Sequence, residues 1–476
     1  MQLPNIVKPD GYKYGHFEQY RPGTEYVSSY IEARGCDRGW KDTVFAGLQY
    51  YLKEFQDKPL ITSKSLERMK KRVPQYGTSF NAEGFQYLLD RYDGFVPLRI
   101  QALEEGSVVP VGTPLLQVVN EDPKAYWATS LVETPLLRGI WYPTTVATLS
   151  FHIKRILREY MLETAGHTDG IDFKLHDFGA RGVSSGESAQ IGGYAHLTSF
   201  MGSDTFEAIE MISEIYDEDM AGYSVNAAEH STVTSFGGPQ YEFEAYQHLF
   251  KVLPGPNKIF SIVSDTYNIF EAVSTLFGQE LYDQIVALGS IGSKFVIRPD
   301  SGDPVQIVSD IIERLMHAFG YTINQKGYKV LPPYLGVLQG DGINEVSIRA
   351  ILEEMKRRGL SAENIVFGMG GALLQGVNRD TLKFAMKASA IRNGQGFKSN
   401  EWYGICKDPI TDKGKRSKIG RQAVFNNNGQ IFSVPEHRED MYGGPEANLL
   451  IDHYANTKIK RTTNMAQIRQ RVAAAL

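Results

Sequence analysis

The chain has 476 residues, of which 42% are hydrophobic and 22% charged, and its formal net charge is −5. This composition is typical of a globular protein of two or three domains and excludes the strongly basic surface that nucleic-acid binding requires. The two cysteines exclude a disulfide scaffold and a cysteine zinc site, while the absence of a signal segment and of long apolar runs predicts a cytoplasmic protein that does not enter a membrane.

The predicted elements change in type along the chain. Residues 96–119 consist of short apolar stretches interrupted by Gly and Pro, which predicts a β-rich meander. Residues 145–162 repeat apolar side chains at helical spacing and predict a long amphipathic helix. Beyond this helix, short apolar runs alternate with helical patterns as far as about residue 382, which is typical of βαβ units around a parallel sheet. The predicted helices of this region are 188–200, 205–214, 269–277, 304–317 and 345–358.

The last part of the chain has a different composition. A basic, turn-rich segment begins after Lys407 and leads into apolar stretches that predict strands. A helix is predicted near residues 466–475.

Several of the predicted strands share one layout, an apolar run that ends in glycines next to an acid or a base. These strand ends lie at residues 177–182, 264–265, 298–302, 339–342 and 368–371. In a parallel barrel the carboxyl ends of the strands meet at one opening, where catalytic groups come from several strands. Each end alone is typical of an ordinary turn. Together they indicate a single site.

The residue types at these ends favour a phosphorylated sugar with a pyrophosphate leaving group. Gly370 and Gly371 precede a helical pattern, so their backbone N–H groups and the helix dipole suit a phosphate. Arginine has a forked set of donors for phosphate, and aspartate binds ribose hydroxyls or Mg²⁺. The charged residues in question are Arg181, Asp265, Arg298, Asp300, Asp341 and Arg379.

Other motifs are weaker. Residues 182–186 match the G-x-S-x-G pattern of serine hydrolases, but residues 177–181 already occupy the turn where Ser184 would have to stand. Neither a Walker loop, nor a dinucleotide-binding glycine pattern, nor an HExxH sequence is present. His230 stands alone and by itself is typical of a structural residue.

Motifs along most of the chain resemble those of the nicotinamide phosphoribosyltransferases. They run from about Asp10 to Arg421 in the family's order: KPDGYKYGHFEQYRPGTEYVSSYIEARG, HDFGARG, GSDT, NAAEHST, VSDTYNIF, IRPDSGDP, LQGDG, FGMGG and KDPITDKGKRSKIGR. The resemblance implies an α/β fold of the type II phosphoribosyltransferases. In that fold an irregular parallel α/β barrel, here 151–384, accompanies a β-rich domain built from both chain ends, here 1–150 plus 385–476. It also implies a homodimer whose active sites draw on both subunits.

The resemblance further implies the reaction of nicotinamide with 5-phosphoribosyl-1-pyrophosphate to give nicotinamide mononucleotide and pyrophosphate. Phe178 would stack on one face of the nicotinamide, Tyr12 of the partner subunit would stack on the other, and Asp204 would accept the amide N–H. The remaining substrate-binding residues that it implies are Arg34, Arg181, Ser224, Arg298, Asp300, Gly340, Asp341, Gly370, Gly371, Arg379 and Lys387.

The catalytic residues implied by the resemblance are His230, Asp265, Arg298 and Asp300. His230 would accept the γ-phosphate of ATP, a co-substrate, and Asp265 would orient its imidazole through the second ring nitrogen. Mg²⁺ is the expected cofactor, without assigned ligands. The chain departs from the family pattern at Ala180, Asn226, Met369 and Ala385. These departures bear on the geometry of the expected phosphate pocket and on the expected coupling to ATP.

Two alternatives remain at this point. A nicotinate phosphoribosyltransferase would share the fold, but the Asp204 carboxylate favours an amide, since it would repel the carboxylate of nicotinate. A non-catalytic binding protein on the same scaffold would be expected to lack the charged set, all of which is present.

Overall fold

A computed structural model describes residues 4–476, and the chain divides into two compact units. The first unit comprises the chain up to Thr148 together with Glu214–Glu218 and Asn378–Ala475, and the second comprises Leu149–Ser213 and Asp219–Val377. The predicted ranges, 1–150 plus 385–476 and 151–384, therefore differ from the two units mainly at residues 214–218 and 378–384, and also at 149–150 and 476.

Hydrogen bonds explain why the two short segments belong to the first unit. The Leu382 carbonyl accepts from the Gly35 backbone N–H (3.4 Å), and the Ile215 carbonyl accepts from the Gln49 side chain (2.5 Å). Such contacts between residues far apart in sequence cannot be inferred from local patterns.

The strands are β1 (Thr24–Glu32), β2 (Asp42–Val44), β3 (Leu98–Ala102), β4 (Val108–Pro110), β5 (Pro114–Asn120), β6 (Leu175–Asp177), β7 (Gly202–Ser203), β8 (Asn226–Ala227), β9 (Ile259–Val263), β10 (Lys294–Arg298), β11 (Thr322–Ile323), β12 (Lys329–Val330), β13 (Leu335–Gln339), β14 (Ile365–Met369), β15 (Ala385–Asn393), β16 (Trp402–Gly404), β17 (Gln422–Asn427), β18 (Gln430–Pro435), β19 (Ile451–Ala455) and β20 (Lys458–Ile459).

The α-helices are α1 (Leu48–Asp57), α2 (Ser63–Tyr76), α3 (Ala82–Tyr92), α4 (Ala128–Leu131), α5 (Glu133–Thr164), α6 (Gly186–Leu197), α7 (Phe206–Tyr216), α8 (His230–Thr234), α9 (Glu242–Val252), α10 (Ile269–Glu271), α11 (Tyr282–Ala287), α12 (Pro304–Phe319), α13 (Glu345–Arg357), α14 (Gly371–Leu374) and α15 (Met465–Ala474). A π-helix, Ala272–Glu280, continues α10.

The first unit is built on an antiparallel sheet of seven strands in the order β16-β15-β1-β5-β3-β19-β20. Strand β3 alternates buried and half-buried residues, and every residue of β5 is buried. The strands predicted for residues 96–119 are therefore confirmed as β3, β4 and β5, although β4 pairs with β2 in a separate two-stranded sheet. Strands from both chain ends share this sheet, which confirms the β-rich domain built from the two ends.

The second unit contains a parallel sheet of seven strands in the order β7-β6-β14-β13-β10-β9-β8. A parallel bridge between Gly202 on β7 and Tyr223, which leads into β8, connects the two edges of the sheet. Two backbone hydrogen bonds of Tyr223, to Met201 (2.8 Å) and Ser203 (2.9 Å), hold this closure. The sheet therefore curls into the irregular parallel α/β barrel that the sequence predicts, and the carboxyl ends of its strands meet at one opening.

The predicted helices are present with shifted ends, and the largest shift is at α5. The prediction began at residue 145, whereas the helix begins at Glu133. Pro143 lies inside it, and a proline normally ends a helical pattern because it lacks the N–H group. No helix within residues 4–476 is long and apolar enough to cross a membrane.

Candidate active site

Phe178 lies across three neighbouring strand ends of the second unit. It follows β6, and its backbone N–H donates to the Met369 carbonyl at the end of β14 (3.0 Å). A Cβ atom at Gly368 would lie 2.0 Å from the Phe178 Cε2 atom, so the ring occupies the space that any larger residue at 368 would fill. Gly340, after β13, faces the same ring. The ring is thereby packed against Gly368 on β14 and Gly340 after β13.

Asp204 follows β7, the strand next to β6. Its backbone N–H donates to the Asp177 carbonyl (2.9 Å), which fixes the start of the turn, and its carboxylate accepts a hydrogen bond from the Ser224 hydroxyl. Because that hydroxyl donates its only proton to Asp204, it fixes the direction of the carboxylate without neutralising it.

A cavity of about 660 Å³ joins these residues inside the barrel. Its lining includes four of the predicted site residues, namely Phe178, Asp204, Ser224 and Arg298. The volume is in the range of small-molecule sites, and the lining combines apolar strand residues with a few polar groups, as such sites do.

Asp177, the last residue of β6, lies directly before Phe178 in the chain. It is fully buried, its Oδ1 atom accepts from the Gly179 backbone N–H (2.7 Å), and its Oδ2 atom has no hydrogen-bond partner within residues 4–476. Burial, assisted by the nearby Asp204 carboxylate, raises the pKa of Asp177 to about 6. The buried carboxyl is therefore costly to ionise.

His230 begins the short helix α8 and faces two carboxylates. Its Nε2 atom lies 3.8 Å from Asp265 Oδ1 and 3.7 Å from Asp300 Oδ2, while its Nδ1 atom is 3.1 Å from the Thr266 hydroxyl. The predicted pair of His230 and Asp265 is brought together. The group on the opposite ring nitrogen, however, is Thr266, which the sequence analysis did not single out.

Arg298 and Asp300 connect this group to the cavity. Arg298 ends β10, and its guanidinium lies 3.4 Å from the Asp300 carboxylate. The buried Nε atom of Arg298 and the Asp265 Oδ1 atom both lack a hydrogen-bond partner within residues 4–476. A cation with a free donor beside buried carboxylate oxygens suits a ligand that carries both hydroxyl and phosphate groups.

The predicted phosphate loop lies at another strand end. Gly370 follows β14 and α14 begins at Gly371. A Cβ atom at Gly182 would lie 3.0 Å from the Gly371 Cα atom, so the turn that carries the exposed Arg181 packs directly against this loop. Asp341 is exposed in the turn after β13. The departure at Met369 is buried, whereas those at Ala180 and Asn226 are exposed.

The other predicted site residues belong to the first unit. Tyr12 is 61% exposed, and the Arg34 side chain donates to the Lys383 carbonyl (3.2 Å). Lys387 lies on β15, where burial and the nearby cations, Arg34 among them, lower its pKa. Arg379 pairs with Asp380 (2.9 Å) in the segment predicted to belong to the barrel but found in the first unit.

The structure also shows cavity residues that the sequence analysis missed. The polar and aromatic ones among them include Phe173, His176, Tyr223, Lys258, Ser261 and Lys294. Period-2 alternation along the strands would have found part of this set, since Lys294, Val296 and Arg298 share one face of β10.

The serine-hydrolase alternative lacks structural support. Ser184 is exposed in a loop, and the neighbouring Ser185 accepts from the Ser188 backbone N–H as the cap of α6 (3.1 Å). Cys36 and Cys406 are free, and the described part of the chain has no group of three or more His, Cys, Asp or Glu residues arranged to hold a metal ion.

Comparisons with known proteins agree with this geometry. Residues 173–438 match the nicotinate phosphoribosyltransferase (NAPRTase) family, and residues 5–100 match the nicotinamide phosphoribosyltransferase N-terminal domain. A nicotinamide phosphoribosyltransferase of Xanthomonas campestris pv. campestris is 42% identical over 99% of this chain and 98% of its own length. One from Acinetobacter baylyi is 33% identical over 98% of this chain and 96% of its own length.

Solved structures share the fold at low sequence identity. Nicotinate-nucleotide pyrophosphorylase from Pyrococcus furiosus matches with a TM-score of 0.62 at 16% identity and covers 98% of this chain and 94% of its own. Human nicotinic acid phosphoribosyltransferase matches with a TM-score of 0.57 at 18% identity and covers 98% and 93%.

The barrel, its strand-end site and these relatives define an enzyme of the phosphoribosyltransferase class. Within that class, the chain belongs to the nicotinate phosphoribosyltransferase (NAPRTase) family.

Proposed function

We propose that the enzyme transfers the phosphoribosyl group of 5-phosphoribosyl-1-pyrophosphate to nicotinamide in NAD salvage. The observation that carries this proposal is the meeting of Phe178, Asp204 and Arg298 in one cavity. An aromatic face, an amide-reading carboxylate and a cation are the groups needed to hold nicotinamide mononucleotide. The nicotinamide phosphoribosyltransferases of the two bacteria named above, similar to this chain over nearly its full length, support the same base.

The mechanism we infer is a displacement at the ribose C1 carbon. The bond from C1 to the pyrophosphate oxygen breaks, the bond from the pyridine nitrogen to C1 forms, and pyrophosphate leaves with the bonding electron pair. Phe178 and Asp204 hold the base so that its ring nitrogen faces C1. Arg298 stabilises the charge that develops as the leaving group departs. The pyridine nitrogen carries no proton, so the step requires no general base.

Mg²⁺ fits this site as an ion carried mainly by the substrate. Mg²⁺ commonly binds through one or two carboxylates plus substrate phosphates, and the described residues contain no larger ligand cluster. Asp300, next to Arg298, is the carboxylate we expect to contribute. When bound, the ion neutralises charge on the pyrophosphate. Arg298 and the phosphate loop do the positioning.

We further propose that ATP phosphorylates His230. Its Nε2 atom faces Asp265 and Asp300, while its Nδ1 atom faces the Thr266 hydroxyl. An imidazole held in this way can present one nitrogen to the γ-phosphate of ATP, which breaks its bond to the bridging oxygen and releases ADP. Coupling this hydrolysis to the transfer would shift the equilibrium of the reaction toward nicotinamide mononucleotide.

The alternative within the family is nicotinate as the base. The Asp204 carboxylate, oriented by Ser224, favours the amide because an ionised nicotinate would meet a like charge in a partly desolvated cavity. The proposal therefore includes the base preference as well as the reaction.

Product analysis tests the proposal directly. The purified enzyme is supplied with the pyrophosphorylated sugar, Mg²⁺ and equal amounts of nicotinamide and nicotinate, with and without ATP, and the mononucleotides are separated. We expect nicotinamide mononucleotide to dominate and its yield to rise with ATP. Preferential formation of nicotinate mononucleotide would refute the assignment of the base.

The proposed setting is a cytoplasmic homodimer with shared active sites, to which Tyr12 of the partner subunit contributes. Two observations on residues of the first unit support this expectation. Tyr12 is largely exposed, and a cationic group that includes Arg34 and Lys387 lies in the same unit. Light scattering combined with a mixture of Y12A and F178A subunits, in which one intact site would be restored, tests the shared site.

A further inference from the structure

Asp265 faces His230 with one of its two carboxylate oxygens. The Asp265 side chain is 5% exposed, and its Oδ1 atom lies 3.8 Å from His230 Nε2 and has no hydrogen-bond partner among residues 4–476. A carboxylate oxygen beside an imidazole stabilises positive charge on the ring, provided that the carboxylate stays ionised and does not rotate away. The contact that holds Asp265 in this orientation therefore bears on the chemistry of His230.

Ser301 holds the other carboxylate oxygen of Asp265. Its hydroxyl donates to Asp265 Oδ2 (2.5 Å), and this is the only side-chain hydrogen bond of Asp265 in the part of the chain that the structure describes. A serine hydroxyl has a single proton, so a serine that donates it to a carboxylate fixes the direction of that group and favours its charged form. One oxygen of Asp265 is thus anchored, and the other is left free to face the imidazole.

The turn that carries Ser301 is fixed on both sides. Ser301 lies between β10 and α12 and is exposed. Gly302 has a φ of +93°, which residues with a side chain rarely adopt, and it reverses the chain directly after Ser301. Asp303 then caps α12, because its side chain accepts from the Val305 backbone N–H (3.0 Å). The Ser301 hydroxyl is therefore presented from a defined backbone and not from a loose loop.

The turn that carries Asp265 leaves the sheet beside it. Asp265 follows β9, which pairs with β10 in parallel. The Ser264 backbone N–H donates to the Arg298 carbonyl (3.0 Å), so the two strands remain hydrogen-bonded up to the residue before Asp265. The hydrogen bond from Ser301 then joins the two turns beyond the sheet. It connects the turn of the proposed sugar-phosphate site with the turn that faces His230.

Asp300 faces the same ring nitrogen but shares its charge with an arginine. Its Oδ2 atom lies 3.7 Å from His230 Nε2 and 3.4 Å from the Arg298 guanidinium. Asp265 forms no ion pair with a lysine or arginine of the described residues, and its side chain is less exposed than that of Asp300, at 5% against 29%. Asp265 is therefore the acid whose negative charge is available to the imidazole.

We propose that Ser301 is a positioning residue for the phosphorylation of His230 and acts through Asp265. This inference rests on the ATP-dependent step proposed above. In that step one ring nitrogen of His230 donates its lone pair to the γ-phosphorus, the bond from phosphorus to the bridging oxygen breaks, and ADP leaves with the bonding pair. The other ring nitrogen keeps its proton, so positive charge develops on the imidazole. Ser301 keeps the Asp265 carboxylate directed at this charge.

Rapid-quench labelling of the full-length protein by ATP with a radioactive γ-phosphate tests this role. We expect S301A to lower the labelling rate at saturating ATP by about tenfold or more, since a hydrogen bond to a charged group is lost. The ATP concentration for half-maximal rate should not change, because Ser301 acts on the imidazole and not on ATP. S301T keeps a hydroxyl on the exposed turn and should restore most of the rate. S290A, which removes another exposed serine hydroxyl, one bound to the Ala287 carbonyl, is the matched control and should label like the unchanged enzyme.

A double-mutant cycle shows whether Ser301 acts through Asp265. In the D265N background S301A should cause no further loss, because the carboxylate that Ser301 positions is already absent. If D265N labels too slowly to measure, the comparison of S301A with S301T decides. An unchanged labelling rate in S301A, an undiminished effect of S301A in the D265N background, or an S301T rate as low as that of S301A would overturn the inference. Failure of the unchanged enzyme to label would instead refute the proposed ATP step, and the inference with it.

Discussion

The side chain of Phe178 lies where a side chain at position 368 would have to be. A Cβ atom added to Gly368 would approach the Phe178 Cε2 atom to 2.0 Å and Cδ2 to 2.3 Å, well inside any real contact distance. The end of β14 and the ring that follows β6 are therefore matched to each other. The orientation of the ring depends on the absence of a side chain on the neighbouring strand.

G368A should displace the Phe178 ring without removing it. We expect KM for nicotinamide to rise about tenfold or more, since loss of stacking costs roughly 1–3 kcal/mol. G340A is the graded control, because its Cβ atom would lie 3.6 Å from the same ring, an ordinary contact. Steady-state kinetics with varied nicotinamide measure both. Similar KM values for G368A and the unchanged enzyme would show that the ring does not bind the base.

D204N should change the choice of base. The carboxamide retains an acceptor for the nicotinamide N–H but removes the charge that repels nicotinate. We expect the ratio of kcat/KM for nicotinate to that for nicotinamide to rise at least tenfold. E280Q, which removes an exposed acid at the end of the π-helix, should leave the ratio unchanged. An unaltered ratio in D204N would remove Asp204 from the specificity argument.

R298K should retain a positive charge but lose the forked guanidinium. Because a single lysine cannot reproduce two parallel hydrogen bonds to phosphate, we expect kcat/KM to fall about 100-fold. The thermal unfolding midpoint should change by no more than a few degrees. R349K on α13, whose arginine pairs with Glu159 at the surface, is the matched control. Full activity of R298K would exclude a bidentate role.

H230A should abolish the response to ATP. We expect transfer without ATP to continue at a rate close to that of the unchanged enzyme, while stimulation by ATP and labelling of the protein by γ-phosphate disappear. H248A, which removes an exposed histidine from α9, should behave like the unchanged enzyme. Persistence of γ-phosphate labelling in H230A would move the phosphorylated residue elsewhere.

D177N should alter the dependence of stability on pH. The pKa of Asp177 is about 6 in the fold and near 3.8 when exposed, so the folded protein binds the proton more tightly. Stability from this group is therefore present at about pH 4 and is lost as the pH rises to about 7, by an amount on the order of 3 kcal/mol. Free energies of unfolding of D177N and the unchanged protein should diverge over this window in favour of D177N. Parallel curves would contradict the raised pKa.

The fold could be predicted largely because its patterns are local. Apolar runs that end in Gly and Asp marked β6, β9, β10, β13 and β14, and the spacing of Gly and Pro marked β3, β4 and β5. Pro143 caused the start of α5 to be missed, since its effect in a helix depends on packing that the sequence does not show. The unit boundary near Val377 depends on hydrogen bonds between distant segments and was placed too late.

The sequence predicted which residues form the site better than it predicted how they are arranged. Phe178, Asp204 and Arg298 line one cavity, although only the resemblance to a family suggested that they act together. Thr266 was missed because a hydroxyl beside a histidine has no sequence signature. Lys294 was missed because a lysine at the start of an apolar strand is usually taken for an exposed end. Its place inside the barrel follows from alternation along β10, which becomes visible once the strand bounds are known.

The sheet of the first unit joins the beginning of the chain to its end. Strand β1 lies between β5 and β15, and β3 lies between β5 and β19. On the ribosome, β1 and β3 emerge long before their outer neighbours, whereas the strands of the barrel are translated in one uninterrupted stretch. The nascent protein must therefore keep two unpaired strand edges from aggregating until β15 and β19 have been synthesised. Termination between the barrel and β19 would release a chain in which at least one of these two edges remains unpaired, which makes translation of this segment the vulnerable phase of its production.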